Sequence, residues 1–124
     1  MENFMFPLYK VTTAVQNENN AEPQTYFTAN DDAYVVTESL VTFGTNGATD
    51  LVELTLADPT GEYDRVGFVV TFTYGKTPVQ DLEITAPNAA DDDDSVIALT
   101  AFGDSVTFMW NGTFWQTVAS NIHA

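Results

Sequence analysis

The stretch "GDSVTFMWNGTFWQTV", Gly103–Val118, places two tryptophans and two phenylalanines around one Asn-Gly pair. On either side of that pair, apolar and polar residues alternate with period two, the spacing of a strand with one buried face. Asn-Gly between two such runs is a strong short-range signal for a hairpin. A two-residue type I′ turn at Asn111-Gly112 sets Trp110 opposite Thr113, Phe108 opposite Trp115 and Val106 opposite Thr117. Val106, Phe108, Trp110 and Trp115 then share one side of the sheet, expected to be the core. Met109 and Phe114 point the other way, toward a face covered by the domain, by a sister subunit, or left as an apolar patch. Asn111-Gly112-Thr113 also fits the acceptor pattern for N-glycosylation, but the turn accounts for the same residues and no secretion signal accompanies them.

Working outward, the remaining ordered-looking segments are rich in Thr, Val, Phe and Tyr, and none sustains a helical apolar period over three turns. Strands are expected at 25–29, 33–43, 51–57, 65–74, 82–86, 96–101, 105–110 and 113–119. Between them lie "TNGATD", "DPTGEYD", "YGKTP" and "NAADDDD", stretches whose Gly, Pro, Asn and Asp suit turns. This defines an all-β chain, a single-domain β-sandwich or barrel-like fold, with no internal repeat strong enough for a solenoid or propeller. Residues 25–124 form the domain. Residues 1–24 read as an extended N-terminal arm: "FMFPLYK" is apolar, while "QNENNAEPQ" is polar and loop-like.

The chain has 124 residues and a formal net charge of -15, with Lys10, Arg65 and Lys76 as its only bases. That length suits one domain able to bury about two-thirds of its unfolded surface without crosslinks. A hydrophobic content of 44% and an aromatic content of 13% argue for a packed core despite the acidity. Nucleic acid is not an expected partner, because phosphate contacts need clustered Lys or Arg. No run of 18 apolar residues suggests a membrane span, and "MENFMFPLYK" lacks the basic start and cleavage site of a signal peptide. With no cysteine, disulfides and thiolate chemistry are absent.

Chemistry-bearing residues are sparse. His123, the lone histidine, is penultimate, where chains fray. The acid groups Asp31 with Asp32, Asp58 with Glu62 and Asp64, and Asp91 to Asp94 would be needed for a polysaccharide-cleaving carboxylate pair, but each falls in an expected turn, where acids serve turn geometry and solubility. Asp91 to Asp94 could offer oxygens to calcium, yet they lack the alternate spacing that wraps an EF-hand ion. The expectation is a non-enzymatic protein with no catalytic residue, metal or cofactor.

"LVELTLADPTGEYDRVGFVVTFTYGKTPVQDLEITAP" together with "IALTAFGDSVTFMWNGTFWQTVAS" resembles a β-structured module of tailed-bacteriophage virion proteins. In that module a "TLPDG" or "TLADG" turn precedes a strand, a Gly-Asp-Ser-Val-Thr segment and an aromatic hairpin. The matching residues here are Leu54 to Asp58 with Gly61, Val66 to Thr73, and Gly103 to Trp115. Pro59-Thr60 interrupts the turn, and the loop at Asp91 to Asp94 is more acidic than in the module. The resemblance covers about the last 90 residues and implies a structural virion component. Fibre proteins append such a module to long shafts, so one domain beginning at Met1 fits a capsid decoration (cement) protein on the capsid exterior. A tail- or head-fibre component is the alternative. The resemblance further implies the major capsid protein as partner and a homo-oligomer, commonly a trimer. Two readings stand for the arm: Phe4, Met5, Phe6, Leu8 and Tyr9 form an edge strand over the domain's own core, or they reach a capsid protein or sister subunit. Together with Met109 and Phe114 these are the candidate partner-binding residues.

Overall fold

The computed structural model describes residues 24–75, 77–86 and 95–122. Among these residues nine strands follow one another: β1 Thr25–Tyr26, β2 Asp31–Tyr34, β3 Leu40–Gly44, β4 Val52–Leu56, β5 Val69–Tyr74, β6 Leu82–Ala86, β7 Ser95–Leu99, β8 Ser105–Trp110 and β9 Trp115–Asn121. Among the described residues the only helical element is a single 3-10 turn, Gly61–Tyr63. The strands form a five-stranded sheet in the order β1-β3-β5-β8-β9 and a four-stranded sheet in the order β2-β4-β6-β7. The fold is an all-β sandwich of two mixed sheets.

From β1 to β6 the chain changes sheet at every step, so strands adjacent in a sheet are never adjacent in sequence. Neighbours in this part run parallel: β1 with β3, β3 with β5, β2 with β4, and β4 with β6. A parallel pair needs a crossover, which helices usually supply. Here the crossover is a strand of the opposite sheet, so the turn-forming stretches between these strands turn corners between layers. Only the last four strands form antiparallel hairpins, β6 with β7 and β8 with β9, and β8 also closes antiparallel onto β5.

Alternation fills the space between the layers. Val41 and Phe43, then Val70, Phe72 and Tyr74, then Val106, Phe108 and Trp110 point inward from the larger sheet and meet Leu54, Leu56, Leu82 and Ile84 of the smaller one. Burial of each such side chain contributes about 1.5–3 kcal/mol. Aromatic rings add edge-on contacts, among them Trp110 with Trp115 at 5.3 Å and Phe72 with Phe108 at 6.3 Å between centroids. Both indoles also satisfy their N–H groups: Trp115 Nε1 donates to the Ala57 carbonyl at 3.0 Å, and Trp110 Nε1 to Asp64 Oδ1 at 3.2 Å.

The hairpin that decides the fold is present, with Val106, Phe108, Trp110 and Trp115 all buried as expected, but its register differs. Trp110 pairs with Trp115 and Phe108 with Thr117, so the loop has four residues rather than two. A type I′ turn would need positive φ at Asn111 as well as Gly112, and only Gly112, at +101°, has it. Asn111 instead folds its side chain back, and its Oδ1 accepts the N–H groups of Thr113 and Phe114, each at 2.9 Å. The shift is by two residues, which preserves the face of every side chain. Between Thr117 and Ala119 the extra residue Val118 makes a bulge.

Two further expectations are corrected. The run 33–43 is not one strand: it divides into the end of β2 and all but the last residue of β3, in different sheets. The corner between them carries Val36, buried as the chain crosses layers, so apolar continuity hides the break. Asp31 and Asp32 accordingly open β2 rather than occupying a turn. The Gly-Asp of "GDSV" has a local cause. Gly103, at φ +89°, lets the chain reverse, with Asp104 N–H donating to the Ala101 carbonyl at 3.0 Å. The buried Asp104 carboxylate then accepts the N–H groups of Thr100 and Ala101 at 2.9 and 3.1 Å.

Candidate docking surface

The outward face of the five-stranded sheet follows from the same alternation. Leu40 and Thr42 of β3 lie beside Thr71 and Thr73 of β5, which lie beside Thr107 and Ser105 of β8, and these in turn pair with Ala119 and Asn121 of β9. One row further along, Val69 pairs with Met109 and Met109 with Gln116. These outward residues include no charged side chain, in a protein of net charge -15. The surface is one of methyl and hydroxyl groups: Thr71 and Thr107 share a hydrogen bond of 2.8 Å across the strands, and Leu40, Val69 and Val118 are exposed.

The other sheet is different. Glu53 and Glu83 lie directly opposite one another on adjacent strands and face outward, with Thr55 and Thr85 in the next row. Asp50, Asp58, Glu62, Asp64 and Asp81 sit in connections and at strand ends. The described part of the molecule therefore has one carboxylate-bearing outer sheet and one carboxylate-free outer sheet. The sequence carries a readable trace of the second: Val-Thr-Phe occurs at 41–43, 70–72 and 106–108, on three adjacent strands with threonine outward each time. That recurrence is the signal the sequence holds for this face.

Of the sequence-predicted contact residues, Met109 lies half-buried on this outward face, and Phe114 lies half-buried in the hairpin loop at its end. Nearby, Val66 is the most exposed large apolar residue, at 76%. Phe4, Met5, Phe6, Leu8 and Tyr9 lie outside the described residues, as do Asp91 to Asp94 and His123.

Of the remaining candidate acids, Asp31 and Asp64 are held by hydrogen bonds within the fold. Asp31 Oδ1 accepts the Ala33 N–H at 3.0 Å, and Asp64 receives the Trp110 indole. Arg65 donates to the Glu62 carbonyl at 2.7 Å and lies over the Phe68 ring. Among the described residues no group of three or more His, Cys, Asp or Glu is placed to hold a metal ion. Burial, with the Glu38 and Asp31 carboxylates nearby, holds the Tyr34 phenol above its ordinary pKa. Desolvation and the neighbouring Glu62 move Tyr63 the same way, and its hydroxyl donates to the Thr37 carbonyl at 2.6 Å.

A shallow groove of about 290 Å³ opens at the β1 edge of the five-stranded sheet, lined by Gln24, Thr25, Glu38, Leu40 and Thr42. Its wall is shaped by glycine: the Gln24 amide lies across Gly44 and Gly75, where an added Cβ would meet Oε1 at 2.8 Å.

Fold and surface together define a two-layer β-sandwich with an uncharged face on one sheet and an acidic face on the other. Compared with known proteins, the chain matches no family model and no curated protein.

Proposed function

We propose that the protein is a non-enzymatic capsid decoration (cement) protein of a tailed bacteriophage, bound to the outside of the shell. The observation that carries this reading is the division of charge between its two outer sheets. A protein that coats a particle needs one surface that can give up water at low cost and one that stays hydrated. Threonine, serine and aliphatic groups desolvate cheaply, whereas carboxylates do not. The uncharged sheet is the docking side, with Met109 and Phe114 at its end, and the sheet carrying Glu53 and Glu83 faces solvent. The resemblance of Leu54 to Asp58, Val66 to Thr73 and Gly103 to Trp115 to virion modules supports the same placement.

The partners are the major capsid protein and further copies of this chain, a trimer fitting the module it resembles. Stabilisation follows from mass action. A ligand that binds the assembled shell and not its separated subunits lowers the free energy of the assembly with every site filled. No bond is made or broken in the process.

The test places charge on each face. Thr71→Glu with Thr107→Glu puts two carboxylates on the docking side, at outward positions paired across β5 and β8, with a melting curve to check that the variant stays folded despite the like-charge pair. Sedimentation with shells stripped of decoration should show loss of binding, while Glu53→Gln with Glu83→Gln still binds. Equal binding by the Thr71/Thr107 variant removes this face from the account. A copy number in purified particles far below that of the shell protein would favour the fibre reading instead.

A further inference from the structure

The outer flank of β9 is long, exposed and uncharged. Although the chain carries 18 acids, no Asp, Glu, Lys or Arg occurs after Asp104. β9 ends its sheet, with β8 as its one neighbouring strand among the described residues. Trp110 directs both of its backbone groups to the β5 side: its N–H donates to the Phe68 carbonyl and its carbonyl accepts from Gly67 N–H, each at 2.8 Å. In an antiparallel ladder that direction alternates residue by residue. Met109 therefore turns to β9 and bonds with Gln116, while the backbone groups of Trp115 and Thr117 point away from β8. Beyond the bulge at Val118, those of Ser120 do the same.

Sheet edges are ordinarily blunted by shortness, charge or proline. β1 has two residues, and β2 opens on Asp31 and Asp32. β7 is neutral but has five residues, with Leu99 buried. β9 has seven, and Thr117–Ile122 are all exposed. Its one irregularity, the bulge, divides the flank into two short runs without adding a charge. Thr117 and Ser120 pair with the inward residues Phe108 and Val106 and are exposed nonetheless, so the smaller sheet stops short of β9.

We propose that β9 pairs antiparallel with β9 of a second copy about a two-fold axis, joining the two five-stranded sheets edge to edge. The charge pattern selects this occupant. A basic partner would be met by carboxylates, which this protein has in abundance; a copy with the same charge of -15 approaches at least cost where there are none. Antiparallel self-pairing is also self-complementary, since the outward N–H and carbonyl groups of one strand meet those of the other. Val118 and Ile122, 50% and 43% exposed, add apolar contact across the seam. The pairing extends the larger sheet, so two carboxylate-free outer faces become one continuous face. This contact stands apart from any shell: it adds a two-fold axis to the trimer proposed above and leaves the docking face uncovered.

Sedimentation velocity of the full chain over a concentration series is the test. Pairs, or even multiples of the chain, should form, and association should tighten as salt rises, because screening relieves the repulsion between like-charged copies. Ser120→Glu sets a carboxylate against its own copy at the seam, and Thr117→Pro removes an outward N–H that serves no bond within the fold. Each should weaken pairing at least about tenfold, with an unchanged melting curve as the check on folding. Val96→Glu, on the other sheet, should pair like the parent chain. Monomers at every concentration, odd-numbered assemblies alone, or association that weakens with salt overturns the proposal. So does a folded Ser120→Glu or Thr117→Pro chain that pairs as tightly as the parent. Thr71→Glu with Thr107→Glu should still pair, so loss of shell binding and loss of pairing are read separately.

Discussion

Thr45 is fully buried just beyond the end of β3, a threonine where the surrounding core is apolar. Its hydroxyl accepts the Gln80 N–H at 2.9 Å and shares its own proton between the Tyr74 hydroxyl at 2.6 Å and the Gln80 carbonyl at 3.1 Å. Tyr74 in turn donates to the Gln80 carbonyl. The knot ties the segment before β6 to the end of the larger sheet. In Thr45→Val the volume is nearly kept, so packing changes little, but the Gln80 N–H loses its acceptor. An unsatisfied buried donor costs about 1–3 kcal/mol, and the lost hydroxyl bonds add about 1 more. The expected loss is roughly 2–4 kcal/mol, or about 10 °C in melting temperature for a domain of this size. Thr45→Ser keeps every hydrogen bond and gives up one buried methyl, at about 1 kcal/mol. The more hydrophobic replacement should therefore be the more damaging one. Urea and thermal melts of the three proteins decide it, with an unchanged urea slope as the check that both states are comparable. If the valine variant is as stable as the serine variant, the hydroxyl network contributes nothing and the reasoning fails.

Two further outcomes are expected. Glu53→Lys replaces a like-charge pair opposite Glu83 by an attractive one and should raise stability by about 0.5 kcal/mol, a gain that shrinks in molar salt; urea midpoints at low and high salt would show it. Because Tyr34 has a raised pKa in the fold, its contribution is complete below about pH 10, the phenol's unfolded value, and disappears as pH climbs through the folded value. Urea midpoints between neutral and strongly alkaline pH should therefore fall, and Tyr34→Phe should fall less steeply.

How far the fold was legible depends on where its information lies. The inward set Val106, Phe108, Trp110 and Trp115 could be read because period-two alternation is local and survives an even slip in register. The register itself depends on Asn111, whose side chain can either sit in a left-handed turn or fold back as an acceptor; residue type alone does not separate the two. The division between β2 and β3 was hidden because Val36 stays buried through the corner, so hydrophobicity never drops. The parallel order of β1, β3 and β5 has no local marker at all, since the turn residues at Thr45–Asp50 look the same whether the next strand pairs beside the last or crosses to the other layer. The docking face was half legible. Met109 and Phe114 were assigned outward from alternation alone, but the absence of carboxylates across four neighbouring strands emerges only once their order is known.

The strand-by-strand alternation between layers also governs how the protein must assemble. β3 and β5 are joined through a partner in the other sheet, with Val41 beside Phe72, so neither layer can propagate before the other. Such wiring has high contact order and folds slowly. The sequence-local units are the two closing hairpins, β6 with β7 and β8 with β9. During synthesis, the parallel two-thirds of the sandwich would emerge first with no local template, and β5 would wait for β8 before its second flank is filled. The nucleus of folding is thus expected at the C-terminal side, and a growing chain should gain protease resistance only after the last hairpin has left the ribosome.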